Sequence, residues 1–238
     1  MLIPFLFAIF ETFLFPRGIL SENQFNPATL HQNQFEITID TEVKFGLTEL
    51  RIHRIHSQIR TYSISVASFG NDIYRENIVG LGLSFPVVEK LAAGFNISAI
   101  NYWIKDNCSC FGYSLRIGAI FWNNPIELGA WINNINMPKF SEVDYVPLSY
   151  SFRGRFLAME NLSFYFATRG LDTDLPFFNF GLFYAPYKII EFGMGINTDP
   201  ILLEYGLKIF VGQFDLYYSG SNHRQLGLSH QLGVGFCL

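Results

Sequence analysis

Five histidines and three cysteines are the side chains of this 238-residue chain best suited to hold a metal or attack a substrate. His53 and His56 lie three apart, and on a strand that spacing sends them to opposite faces, so a shared metal ion is not expected. His31 and His223 stand alone. His230 falls on the apolar side of an alternating segment, where an interfacial or interstrand structural role outweighs catalysis. Cys108 and Cys110, in KDNCSC, share a strand face or a loop. A metal or redox site there stands beside the reading of an incidental pair, and two residues is an unfavourable disulfide spacing. Cys237 is left over, and an odd cysteine count excludes a fully paired framework.

Other catalytic signatures are missing. The chain has no Walker-type phosphate loop, no G-x-S-x-G and no H-E-x-x-H. GLGLSF contains a G-x-G, but inside a strand pattern and without the third glycine or following helix. Asn96-Ile-Ser and Asn161-Leu-Ser match glycosylation sequons yet lie in predicted strands. Geometry would gather no Ser/His/Asp set at one rim. The residues therefore predict no catalytic site, no cofactor and no metal. A net charge of −4 offers no basic surface for nucleic acid.

The elements that must carry these side chains are all strands. Half the residues are apolar and 17% aromatic, with 26 Phe, 12 Tyr and 20 Gly, while only 15% are charged; ordinary soluble domains carry roughly 25% charged residues. Beyond residue 20 no run approaches the length of a spanning helix, about 18 residues. The apolar content is instead dispersed at every second position. VGLGLSF sets Val79, Leu81, Leu83 and Phe85 against Gly80, Gly82 and Ser84. FGYSLRIGAIF sets Phe111, Tyr113, Leu115, Ile117, Ala119 and Phe121 against Gly112, Ser114, Arg116, Gly118 and Ile120. Similar segments begin near residues 35, 61, 91, 148, 162, 178, 190, 203, 214 and 225. Weaker ones at 48–56 and 126–133 bring the expected number of strands to fourteen. Two-residue periodicity in segments of about ten residues, divided by turn residues, is the signature of a transmembrane barrel.

The connections predict the same architecture. Long ones near 41–48, 68–77, 104–109, 133–146, 168–176, 197–201 and 219–225 alternate with short ones near 57–58, 86–90, 123–125, 158–160, 185–188 and Gly212. Outer-membrane barrels place long loops outside and short turns on the periplasmic side. The face opposite the apolar one carries glycine, serine and a few charges, namely Arg116, Arg153, Arg155, Glu191, Glu204 and Lys208. These suit a narrow lumen in which opposite charges pair, and a structural salt network is the commoner reading beside an anionic-headgroup site. The fold class expected is all-β: a transmembrane antiparallel up-and-down β-barrel of about 14 strands, in the outer membrane of a Gram-negative-type bacterium. A soluble β-sandwich binding module is the alternative.

Both ends of the chain fit this scheme. Residues 1–20, with MLIPFLFAIFETFLFP, read as a secretory signal, leaving 21–238 for the barrel; the alternative is an apolar segment retained in the mature protein. At Asn26-Pro27-Ala28 the proline fixes its own φ and restricts the residue before it, which predicts a turn as the chain enters the barrel. Whether that turn is also the edge of a plug or gate stays open. At the other end, Leu232, Val234, Phe236 and Leu238 keep the apolar stripe running to the last residue. A barrel requires this, because its last strand is membrane wall and must close on the first. Such a strand resembles the C-terminal insertion signal of outer-membrane barrels, with Leu238 where an aromatic residue is usual.

Three stretches carry a resemblance: NPATL at 26–30, the central GYSLRIGAIFWNNPIELGAWINNINMP, and LGLSHQLGVGF with Leu226, Gly227, Ser229 and His230. Together they resemble the PorV/PorQ-like outer-membrane proteins, relatives of the FadL-type transporters. The resemblance implies a fourteen-stranded barrel that either serves as an accessory of type IX secretion, holding secreted cargo, or passes hydrophobic compounds. The first role is the main expectation. Loops 133–146 and 168–176 would then contact secreted cargo or secretion-system subunits. In the second role, inward Phe177, Phe183 and Phe210 would line a path for a hydrophobic ligand. Outer-membrane lipid is the expected surrounding in both.

Overall fold

The computed structural model describes residues 26–28, 35–106, 108–140, 145–171, 176–198 and 201–238; residues 1–20, His31 and Leu30 of NPATL lie outside these. Fourteen antiparallel strands form one closed barrel in which each strand pairs with its sequence neighbours and the first pairs with the last. They are β1 (Phe35–Val43), β2 (Arg51–Ile59), β3 (Tyr62–Gly70), β4 (Tyr74–Val88), β5 (Leu91–Ile104), β6 (Cys108–Asn123), β7 (Ile126–Asn133), β8 (Ser149–Met159), β9 (Leu162–Leu171), β10 (Phe177–Tyr187), β11 (Ile190–Thr198), β12 (Ile201–Val211), β13 (Phe214–His223) and β14 (Gly227–Cys237). Each predicted alternating segment falls within or across one of them. The single closed sheet overturns the soluble-sandwich alternative, which needs two.

Alternation decides the faces. Ile39, Ile64, Leu81, Ile97, Phe164, Met194, Leu203 and Leu232 point outward and each keeps more than 40% of its surface exposed. The polar residues between them, such as Thr38, Asp40, Arg54, Gln58, Ser98, Arg153, Asn197 and Gln231, are buried inside. This inverts a water-soluble barrel, and an apolar band around the whole circumference is stable only in lipid. Closure runs from Glu36 opposite Cys237 to Val43 opposite His230. It ends with the Leu238 amide donating to the Phe35 carbonyl at 3.1 Å. Leu232, Val234 and Phe236 thus form membrane wall, with Leu238 just beyond the strand.

The loop asymmetry is smaller than the sequence predicts. Turns at 60–61, 89–90, 124–125, 160–161, 188–189 and 212–213 share one end of the barrel with both described termini. At the other end the expected long loops contract, because strands run on past the clear alternation. The 68–77 loop, for example, shrinks to 71–73, where Asn71 Oδ1 accepts from the amides of Ile73 and Tyr74. One connection stays long, 134–148 between β7 and β8. Its Phe140 and Val146 turn into the lumen, while its Ile135 and Tyr145 stay exposed.

Candidate functional site in the barrel lumen

The lumen is built from the inward register of each strand, and two pieces of chain pack against its wall. Toward the short-turn end, Asn26–Ala28 lies against β4–β7. Asn26 Nδ2 donates to the Ala119 carbonyl at 2.8 Å, while its Oδ1 accepts the Ala28 amide at 3.0 Å. Ser84 Oγ donates to the Ala28 carbonyl at 3.0 Å. Ala28 is fully buried among Ala92, Ile120 and Trp122. The wall is glycine there for a steric reason. A Cβ on Gly94 would sit 2.5 Å from the Pro27 carbonyl, and one on Gly118 2.9 Å from Pro27 Cδ. Such contacts are closer than any side chain tolerates, so only bare backbone lets the segment dock. Asn26-Pro27 is therefore a turn, as the sequence predicts, and that turn lies inside the barrel.

Toward the opposite end the lumen becomes apolar. Inward Ile52, Ala67, Phe69, Ile78 and Ile100, from β2 to β5, form one buried cluster with Val146, with Leu50, Tyr74, Trp131 and Phe140 packed against it. Phe140 meets Tyr102 edge-on with ring centres 5.0 Å apart. The 134–148 connection is held in place by polar anchors. Ser114 Oγ donates to Asn134 Oδ1 at 2.7 Å, Asn136 Nδ2 to the Tyr113 carbonyl at 2.6 Å, and Asn134 Nδ2 to the Pro147 carbonyl at 3.0 Å. On the facing wall, Phe183 packs on Tyr165 with centroids 5.2 Å apart, and Phe177 lies under the Arg169 guanidinium at 5.5 Å. Phe210 sits near the short-turn rim beside Lys208 Nζ, 5.1 Å away. All three phenylalanines expected in the interior lie on the inward register.

Between these apolar regions Arg153 and Lys208 form ion pairs, with partners the sequence did not single out. Arg153 bonds Glu127 at 2.7 Å, a diagonal contact across β7 and β8. Lys208 lies opposite Glu191 in register, yet its ion pair is with Asp215. Arg155 Nε donates to Ser163 Oγ at 3.0 Å and its guanidinium covers the Phe183 ring. Arg116 is half-buried in the lumen. Glu204 meets two carboxamides: Asn197 Nδ2 donates at 2.6 Å and Asn179 Nδ2 at 3.1 Å. No single site gathers Arg153, Arg155, Glu191, Glu204 and Lys208. The most buried charge network was missed. Arg54, 1% exposed, bonds Asp40 at 2.7 Å and also Glu42, while Gln231 Nε2 donates to Asp40 at 3.1 Å. The alternation in FEITIDTEV and RIHRIHSQI, which points all three charges inward, was the available signal.

The remaining candidates are dispersed. His53 is exposed on the outside and His56 is buried inside, the opposition their spacing predicts. His230 faces outward and bonds the Tyr218 hydroxyl through Nδ1 at 2.6 Å, an interstrand link. His223 Nδ1 accepts the Gln225 and Leu226 amides, shaping the β13–β14 turn. Cys108 begins β6, and Cys110 and Cys237 are free thiols. Among the described residues, no three side chains of His, Cys, Asp or Glu gather around a metal site.

An all-round apolar belt, a polar lumen and closure without an edge leave one environment for this fold. The chain is an outer-membrane β-barrel of the Gram-negative type. No protein-family profile and no curated protein matches its sequence. Its fold is similar to the CymD monoaromatic hydrocarbon channel, with a TM-score of 0.67 at 11% identity over 94% of both chains. It is also similar to the Ralstonia pickettii toluene transporter TbuX, with a TM-score of 0.59 at 11% identity over 90% of this chain and 92% of that one. The P. putida toluene transporter TodX matches with a TM-score of 0.59 at 9% identity, covering 88% and 90%.

Proposed function

We propose that this barrel is a passive conduit for small apolar molecules across the outer membrane. The observation that carries the reading is the buried apolar cluster in the lumen, Ile52, Phe69, Ile78, Ile100 and Val146 with Phe140 against it. A pore for hydrophilic solutes needs a wetted, polar interior, whereas a site for apolar molecules is lined by aliphatic and aromatic side chains with few polar groups. The three neighbours named as hydrocarbon channels or toluene transporters support the same choice of substrate class. In this scheme the 134–148 connection is the outer closure of the path and Asn26–Ala28 the inner one. A secretion scaffold would use that connection to grip a partner outside, whereas Phe140 and Val146 of this connection are packed inward.

The test is uptake of radiolabelled toluene by cells whose other apolar channels are deleted. The expected result is faster uptake with the chain than without it, together with a several-fold change on Phe140→Ala. Uptake no faster than in cells lacking the chain would refute the conduit.

A further inference from the structure

On β2, β1 and β14 the outer surface becomes cationic above the apolar belt. The outward register there places Arg51 and His230 on either side of Val43, and His53 beside Thr41 one step further down. Two strand spacings of about 4.8 Å separate the backbones of Arg51 and His230. Both imidazoles are held through Nδ1: His53 by Thr41 Oγ1 at 3.0 Å, His230 by the Tyr218 hydroxyl at 2.6 Å. With each hydroxyl donating, Nε2 carries the ring hydrogen and is the donor left for a ligand. Arg51 Nε is enclosed with no hydrogen-bond partner among the described residues. The acidic residues of the five strands from β12 round to β2, namely Glu36, Asp40, Glu42, Glu204 and Asp215, all fall on the inward register. Glu49, in the turn before Arg51, accepts from the Thr48 hydroxyl.

Directly below this cationic group the belt is indented. A groove of 370 Å³ crosses β1, β14, β13 and β12, walled by Ile39, Leu232, Val234, Leu216, Leu207 and Ile209. Thr41 and Tyr218, the residues that hold the two histidines, line the same groove. The cationic group lies toward the end of the barrel opposite the short turns and termini, which in an outer membrane is the outer leaflet. The groove descends from Thr41 and Tyr218 past the strand midpoints to Leu216 and Ile209, two residues from the short-turn ends of their strands.

We infer that this face is a binding site for an outer-leaflet lipid with a phosphorylated head group. The phosphate sits against Arg51, His53 and His230, and one acyl chain lies in the groove. Charge complementarity selects the occupant: a guanidinium and two oriented N–H donors with no carboxylate among them match phosphate oxygens. The continuous apolar groove beneath matches a hydrocarbon chain attached to that phosphate. A second copy of this chain would bring the same positive group against itself.

The experiment is native mass spectrometry of the folded barrel in neutral detergent, titrated with lipid A and with enzymatically dephosphorylated lipid A. The expected result is at least tenfold tighter binding of the phosphorylated form. That preference is lost in the triple variant Arg51→Gln, His53→Gln, His230→Gln. Leu216→Trp, which fills the groove, weakens both forms. Equal binding of both lipids by the unmodified protein would overturn the inference, as would full phosphate preference in a folded triple variant. So would a dimer mass abolished by Leu216→Trp, which would make the groove an interface between copies. If the triple variant lacks the gel mobility shift of a folded barrel, Arg51→Gln alone and the wild-type comparison decide.

Discussion

Arg54 shows how a single residue can matter more than its place in the sequence suggests. Among the described residues it is the largest fully buried side chain, held between Asp40 and Glu42 on β1 while Gln231 of β14 completes the shell around Asp40. The network therefore spans the junction of first and last strands. Removing one partner of a buried ion pair leaves the others desolvated without compensation, at roughly 3–5 kcal/mol. Arg54→Ala is expected to lower stability by that order, read as a shift of the urea midpoint for the barrel refolded in vesicles. Arg75→Ala should change little, because its partner Asp72 is fully exposed. At Gly118, on the wall that receives Asn26 and Pro27, a side chain would displace the docked segment. Gly118→Val is therefore expected to make the N-terminal segment cleavable by protease in a barrel that still folds. The inward sign of Arg153 and Lys208 was legible in the sequence. Their partners Glu127 and Asp215 were not, because diagonal pairing depends on side-chain reach and not on alternation.

At the scale of elements, fourteen strands were legible because lipid on one side and a crowded lumen on the other impose opposite demands at alternate positions. The signal weakens where the demand changes. In β2 both Ile52 and Ile55 are apolar, one facing the inner cluster and one facing lipid, so the segment reads poorly as a membrane strand. The same inward apolar residues hid the fate of the β7–β8 connection, whose Phe140 and Val146 gain a partner surface only after the strands assemble. The insertion strand β14 gives a direct test. Val234→Arg puts a charge on the lipid face, where the cost near the bilayer midplane is about 2–4 kcal/mol. Gln231→Arg on the same strand points into the lumen beside Asp40. Folding yield into vesicles, scored by the gel shift between unheated and boiled samples, should fall for the first far more than for the second.

For the whole molecule, the two closures imply low ion conductance. With Asn26–Ala28 docked on one half of the wall and Phe140 and Val146 in the other, planar-bilayer recordings should show no large steady channel in the wild-type protein. Deleting residues 135–146 should raise conductance several-fold, and an equally silent deletion would mean that the connection is not the outer closure. The inward turn of this segment also shapes how the bacterium meets its surroundings. At the same end the described 71–73 connection is only three residues long, so that part of the barrel lies close to the cell surface. Antibodies and phage tail fibres need protruding loops to grip, and here Phe140 and Val146 of the longest connection are turned inward. A barrel built this way is poor prey for recognition, and a short epitope inserted at 71–73 would be the direct means of making it visible from outside.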